Sequence, residues 1–252
     1  MDFFLVNLQI ESWAAIAPNL KSQQDWQQWL QSPELIDTPL AKQPLKQIPP
    51  LLRRRFGTLG KCALGAILQI VDEQAIPSIF ASQHGDTTLT LSLLEAMGKQ
   101  QDMSPTGFSL AVHNAISGLF SIARKDTSAT TSIAAMEGLI MQTLFEAMGQ
   151  LQDTDRVLCV IYDMPLPELY KPYSQSVPFP CAIAMILRKS DKPDGDTITV
   201  SVAEGETPHS SALSGVLDCE YFHFIELLTG MTSQITMSVN GVNWQVIRQS
   251  PI

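Results

Sequence analysis

IPSIFASQHGD at residues 76–86, MSPTGFSLAVHNAISG at 103–118 and DTSATTSIAAMEGL at 126–139 are the stretches on which the reading of the fold turns. In the first, Ile76 to Ala81 is an apolar run that ends in polar residues and Gly85, which predicts a short buried strand. Leu89 to Met97 follows as a predicted helix that Thr87 or Thr88 can cap. The second stretch predicts a helix over Gly107 to Ile122. Its small residues, among them Ala111, Ala115, Ser117 and Gly118, suit close approach of another backbone. The third opens a longer helical region, Ser128 to Gln150, rich in Ala, Met and Gly.

Upstream, Leu59, Cys62, Ala63, Ala66, Ile67 and Ile70 recur at helical spacing and predict a helix over Thr58 to Glu73. Arg53, Arg54 and Arg55 precede it as a compact basic cluster. Pro33, Pro39, Pro44, Pro49 and Pro50 make residues 32 to 50 an irregular arm. The chain opens with a strand candidate, Phe3 to Ile10, and a stretch rich in Trp and Gln. Downstream the texture changes. Arg156 to Tyr162, Cys181 to Leu187 and Thr197 to Val202 read as strands, and Leu217 to Leu228 as a helix. Ile235 to Val239 and Val242 to Ile247 flank Asn240-Gly241, a hairpin turn. Helices alternating with apolar strands predict an α/β class. The chain reads as one domain, 1–252, with a strand and proline-rich arm at 1–55, a helix and strand core at 56–150 and a strand-rich remainder at 151–252.

The 252 residues are long enough to bury a substantial core, and 45% hydrophobic content against 16% charged residues excludes a disordered chain. The low charge suggests that much of the surface is covered by something other than water. A net charge of -9 argues against nucleic-acid binding, which requires a basic face. No stretch reaches the roughly 18 apolar residues of a membrane span, and MDFFLVNLQIESW lacks the basic start of a signal peptide. Cys62, Cys159, Cys181 and Cys219 lie far apart, without C-x-x-C spacing, and read as reduced, mostly buried thiols of a cytoplasmic protein. His84, His113, His209 and His223 fall outside metal-ligand spacing, so no metal or cofactor is expected. The G-x-S-x-G, G-x-x-x-x-G-K-[ST], G-x-G-x-x-G and H-E-x-x-H patterns do not occur.

The three stretches together resemble the N-terminal half of β-ketoacyl synthases of the thiolase-like superfamily. In that family a strand precedes an S-P-x-x-F/V segment, then a small-residue helix ending in x-N-x-x-x-G, then a strand running into D-T-A-C-S-S-S. The nucleophilic cysteine of the last motif sits on a strand-to-helix turn, where the helix N-terminus lowers its pKa. The run Asp126-Thr127-Ser128-Ala129-Thr130-Thr131-Ser132 matches this motif position by position, with Ala129 in the cysteine's place. A methyl group carries no acyl chain, so thioester chemistry at that position is excluded. The segment between Gly118 and Asp126 is shorter than the family pattern, and the H-G-T motif of the family's C-terminal half is absent. The implied fold is therefore a truncated thiolase-like one, a mixed sheet with buried helices. The resemblance is specific over residues 47 to 140 and weaker from 156 to 250.

More narrowly, the sequence is similar to short chain length factors of aryl polyene and type II polyketide pathways. The resemblance implies a non-catalytic subunit that pairs with an active β-ketoacyl synthase as a heterodimer, shapes its acyl tunnel and meets acyl carrier protein through the complex. It places Thr106, Gly107 and Phe108 in a segment that reaches the neighbouring acyl pocket, with Leu89 and Leu93 on a helix that lines the tunnel. Phe108 reads equally as plain core, and the leucines as core. His113 and Asn114 fall where the family makes subunit contacts, although a hydrogen-bonded structural histidine is the simpler reading. Arg53, Arg54 and Arg55 suit docking of an acidic carrier protein or the partner, or a solvated turn. Two other classes stay open: a stand-alone acyltransferase or hydrolase with a Ser/His site, and a homodimeric acyl-binding protein.

Overall fold

The computed structural model describes residues 6–190, 195–203, 211 and 213–249. Eight strands form one mixed sheet in the order β3-β2-β4-β5-β1-β6-β8-β7. They are β1 (Val6–Ile16), β2 (Ser78–Ser82), β3 (Thr130–Ala134), β4 (Val157–Asp163), β5 (Cys181–Lys189), β6 (Thr197–Val202), β7 (Gln234–Val239) and β8 (Val242–Gln249). Strand β2 runs parallel to β3 and β4, and every other pairing is antiparallel. The helices are α1 (Gln23–Gln31), α2 (Pro50–Arg53), α3 (Thr58–Ile70), α4 (Thr87–Gly98), α5 (Pro105–Leu110), α6 (Ala115–Arg124), α7 (Leu139–Gln150) and α8 (Glu220–Thr229).

Both faces of the sheet are covered. One core joins α1, α7 and α8 to Leu8, Ile10, Trp13, Ile79, Cys159 and Ile183. The other joins α3 and α6 to Phe80, Leu158, Val160, Tyr162 and Ala184. This explains why β4 and the first seven residues of β5 are continuously buried and carry no polar alternation: a strand packed on both faces needs apolar side chains at both parities. No helix among the described residues is long and apolar enough to cross a membrane.

Several predicted elements change shape. Strand β1 extends to Ile16, past the expected end at Ile10, while residues 3 to 5 of the expected strand lie outside the described residues. The pairing with β5 slips between Ile10 and Ser12, so Glu11 is an extra residue. The bulge shifts the inward parity from Leu8 and Ile10 to Trp13 and Ala15, which breaks the period that sequence reading depends on. The single helix expected over Gly107 to Ile122 is two helices, α5 and α6, broken at residues 111–114. The helix expected over Ser128 to Gln150 is strand β3 followed by α7. Thr130, Thr131 and Ile133 are β-branched and favour the strand, and Gly138 at φ 60° makes the turn that only then starts the helix. Helix α4 is capped by Asp86, whose Oδ1 accepts the Leu89 amide at 3.0 Å, and not by Thr87 or Thr88. The Asn240-Gly241 hairpin forms as expected, with both residues at positive φ (51° and 76°). The cysteines are free; Cys62, Cys159 and Cys181 are buried.

Candidate functional site

Helices α4 and α5 pack against each other, and α5 packs against α6. Ser104 caps α5 through the Gly107 amide at 3.2 Å, and a β-carbon added to Gly107 would stand 3.5 Å from Leu93 Cδ2. The fold therefore brings Leu93 and Gly107 together. Leu89 lies one turn earlier on α4 and lines a cavity. Thr106 is exposed, and Phe108 is 62% exposed, so the equal reading of Phe108 as core does not hold in this chain. Leu94, Met97, Val112, Ile122 and Met136 are also large apolar side chains left in water.

His113 and Asn114 occupy the break between α5 and α6. His113 Nε2 lies 2.8 Å from the Ile133 carbonyl of β3, which ties the break to the sheet. Asn114 is exposed at the N-terminus of α6 and opens a polar groove with Ser117, Gly118, Ser121, Thr127 and Ser132. Strand β3, on the far side of that groove, ends the sheet: among the described residues it pairs only with β2.

Ala129 does not lie on a strand-to-helix turn. It is exposed and precedes β3, where its carbonyl accepts the Ser78 amide at 3.0 Å. Asp126, at the start of the same run, accepts the amides of Ser128 (2.9 Å) and Ile76 (3.0 Å). Burial raises the Asp126 carboxyl, but the Ser128 contacts, the Ile76 amide and Arg124 outweigh it and leave the group below its ordinary range. The D-T-S-A-T-T-S run is thus a buckle that leads into the strand.

The strand-to-helix turn of this region comes six residues later, at Ala135-Met136-Glu137-Gly138 between β3 and α7. Gly138 abuts the last residue of β7: an added β-carbon would stand 2.4 Å from Val239 Cγ2. The first amide of α7, from Leu139, donates to Glu220 Oε1 at 3.0 Å, so a carboxylate from the start of α8 occupies this helix N-terminus. Burial pushes the Glu220 carboxyl up to about 7. Sequence reading missed this residue, because its partner is 81 positions away.

Asp163 closes β4 beside this turn and is fully buried. It accepts the Ser82 hydroxyl (2.8 Å), the Gln83 amide (2.8 Å) and the Tyr221 phenol (2.6 Å), and burial still holds its carboxyl above the usual range. Burial also raises all four thiols, Cys219 the least, to about 11. None of them has the electropositive, accessible setting that makes a thiolate. His84 Nε2 lies against the Gln175 carbonyl at 2.9 Å, and His223 Nε2 lies 2.8 Å from Asp218. His209 lies outside the described residues.

The arginine cluster divides. Arg53 turns inward and donates to the Ile48 carbonyl at 2.8 Å. Arg54 and Arg55 are exposed and stand on the rim of the cavity that Leu89 lines.

A family model described as the β-ketoacyl synthase N-terminal domain matches residues 26–245. Among solved structures, the chain superimposes on a chain of "Ketosynthase (ApeO) in Complex with its Chain Length Factor (ApeC)" from Xenorhabdus doucetiae. The identity is 25% and the TM-score 0.78, over 96% of this chain and 100% of the other. It also superimposes on a chain of the ishigamide ketosynthase/chain length factor, with 13% identity and TM-score 0.58 over 78% of this chain and 67% of the other. A third match is to a chain of the AntDE:AntF assembly, titled a type II PKS acyl-carrier protein in complex with its ketosynthase. There the identity is 13% and the TM-score 0.60, over 99% of this chain and 100% of the other. The last two share the fold. No curated protein matches the sequence.

Proposed function

The chain belongs to the β-ketoacyl synthase family through its N-terminal domain, and from that premise we propose that it is a non-catalytic chain length factor in polyketide or aryl polyene synthesis. The observation that carries this reading is the turn between β3 and α7. The family holds its cysteine on a strand-to-helix turn, with the sulfur at the helix N-terminus, and here that turn consists of Ala135, Met136, Glu137 and Gly138. No residue among them can be acylated as a thiol or hydroxyl. The carboxylate of Glu220 fills the place at the α7 N-terminus where an incipient anion would be stabilised. The turn therefore lies at residues 135–138 and not at Ala129, and neither Ala129 nor this turn supplies a thiol or hydroxyl.

A factor without a nucleophile acts through a partner, and one side of this molecule is built to meet one. Among the described residues strand β3 presents an unpaired edge, α6 beside it is lined by Ser117, Gly118 and Ser121, and Phe108, Val112, Ile122 and Met136 stay in water nearby in sequence. Edges and apolar patches of this kind are normally covered in a stable complex. In such a complex Thr106, Gly107 and Phe108 project from the α4–α5 pair toward the partner, and Phe108 supplies the bulk that stops a growing chain, with Leu93 against the neighbouring Gly107.

The experiment is co-expression with a co-encoded synthase, tagging only this chain, followed by native mass spectrometry and analysis of the products. A one-to-one complex is expected, with elongation abolished by replacing the partner's cysteine. Phe108→Ala is expected to shift the products to longer chains. Labelling of the isolated chain by a fluorophosphonate or a thioester probe would overturn the reading in favour of a stand-alone acyltransferase. A stable homodimer with no affinity for the synthase would point to an acyl-binding protein.

A further inference from the structure

We propose that the chain carries a ligand site of its own, for an anionic amphiphile with a second oxygen function on its apolar chain, in the cavity between α3, α4 and the α5–α6 break. The cavity holds about 560 Å³, within the roughly 300–1,000 Å³ of small-molecule sites. It is lined by residues of this chain.

Three regions of the cavity define the ligand. Its walls are apolar, from Leu89, Leu110, Ile116 and Leu119. Its floor includes Tyr162 of β4, which is 1% exposed and whose phenol oxygen has no hydrogen-bond partner among the described residues. Buried polar groups are normally paired, and the neighbouring Asp163 accepts hydrogen bonds from Ser82, Gln83 and Tyr221. Burial keeps the Tyr162 phenol protonated, so it can donate to a carbonyl or hydroxyl oxygen.

The rim carries charge. Arg54, Arg55 and Lys61 line it and make no ion pair among the described residues. Their only acidic neighbour in the lining is Asp86, whose Oδ1 is already engaged in capping α4. Three cations against one carboxylate leave the rim net positive. Helix α3 starts there at Gly57, where Asp86 Oδ2 stands 3.1 Å from the place of an added β-carbon and offsets the helix's positive end, so the excess charge of the rim comes from Arg54, Arg55 and Lys61. An anionic head at the rim, a chain along the leucine and isoleucine walls and an oxygen at Tyr162 satisfy all three regions at once.

Calorimetric titration of the full chain, in whatever assembly it purifies, tests this with three probes: 10-hydroxydecanoate, decanoate and 1,10-decanediol. Saturable one-to-one binding is expected, with 10-hydroxydecanoate at least fivefold tighter than decanoate and the diol weaker than both. Tyr162→Phe should abolish the preference for the hydroxylated chain while leaving decanoate affinity within twofold. The double variant Arg54→Ala/Arg55→Ala should weaken both acids at least fivefold and leave the diol unaffected. Tyr162→Phe removes an oxygen without a hydrogen-bond partner among the described residues, so the fold is preserved. Leu89→Trp, which fills the cavity from an exposed helix, should abolish binding of all three. Absence of saturable binding, equal affinity of the diol and the acids, or an unchanged preference in Tyr162→Phe would each overturn the proposal.

Discussion

Glu220 is half-buried and Tyr162 fully buried, and their polar atoms are satisfied differently. Glu220 accepts the leading amide of α7, yet burial holds its carboxyl up to about 7, above the ordinary value of 4.5. The folded chain therefore keeps a proton that the unfolded chain releases at lower pH, and stability falls as pH rises from about 4.5 to 7. The shift corresponds to about 3 kcal/mol at full ionisation. Glu220→Gln keeps an acceptor for Leu139 and removes this share of the slope. Its urea midpoint should exceed that of the native chain at pH 8, with the advantage gone at pH 5. The Tyr162 phenol oxygen has no hydrogen-bond partner among the described residues, so Tyr162→Phe should be neutral or stabilising by about 1 kcal/mol in the ligand-free chain. Neither property was legible in the sequence. A tyrosine in the run VLCVIYD reads as core, and a glutamate at a helix start reads as a solvated first-turn acid. Only the long-range packing makes them otherwise.

Among the elements, the ones read correctly are those whose pattern is local. Helix α3, strands β4, β5 and β6, and the Asn240-Gly241 hairpin declare themselves through spacing, apolar runs and turn chemistry. The errors gather between residues 107 and 150, where small residues and Met suit a helix and a packed strand alike. Within that stretch, Thr130-Thr131-Ser132-Ile133 carried the strand signal and Gly138 the boundary. The resemblance to a known motif placed its turn on Ala129 and so hid both. The boundary can be tested. Gly138 sits at φ 60° with Val239 Cγ2 2.4 Å from where a β-carbon would lie. Gly138→Ala should therefore destabilise the chain by about 2 kcal/mol or more, combining backbone strain and overpacking. A thermal melt reads this directly, and restoring space through Val239→Ala should recover part of the loss.

At the scale of the whole molecule, the helices guard the sheet's faces but, among the described residues, leave the β3 edge open, and the position of Gly118 makes that opening testable. A β-carbon at Gly118 meets nothing within 4 Å, so Gly118→Trp should leave the melting temperature of the isolated chain unchanged or slightly raised. The same variant should abolish the one-to-one complex in native mass spectrometry, because the indole would stand in the groove beside β3. Survival of the complex would move the partner to another face. The α/β class was legible from the alternation of helices with apolar runs. The strand order was not, since no local pattern records which strands become neighbours.

That order carries a cost in time. Strand β1 lies between β5 and β6, with Leu8 opposite Lys189 and Val6 opposite Val200. During synthesis β1 emerges roughly 10 to 35 seconds before its first neighbour, at translation rates of about 5–20 residues per second. Until then Trp13 and the rest of its apolar side chains have no sheet to join, and the half-made chain depends on whatever shelters it as it leaves the ribosome.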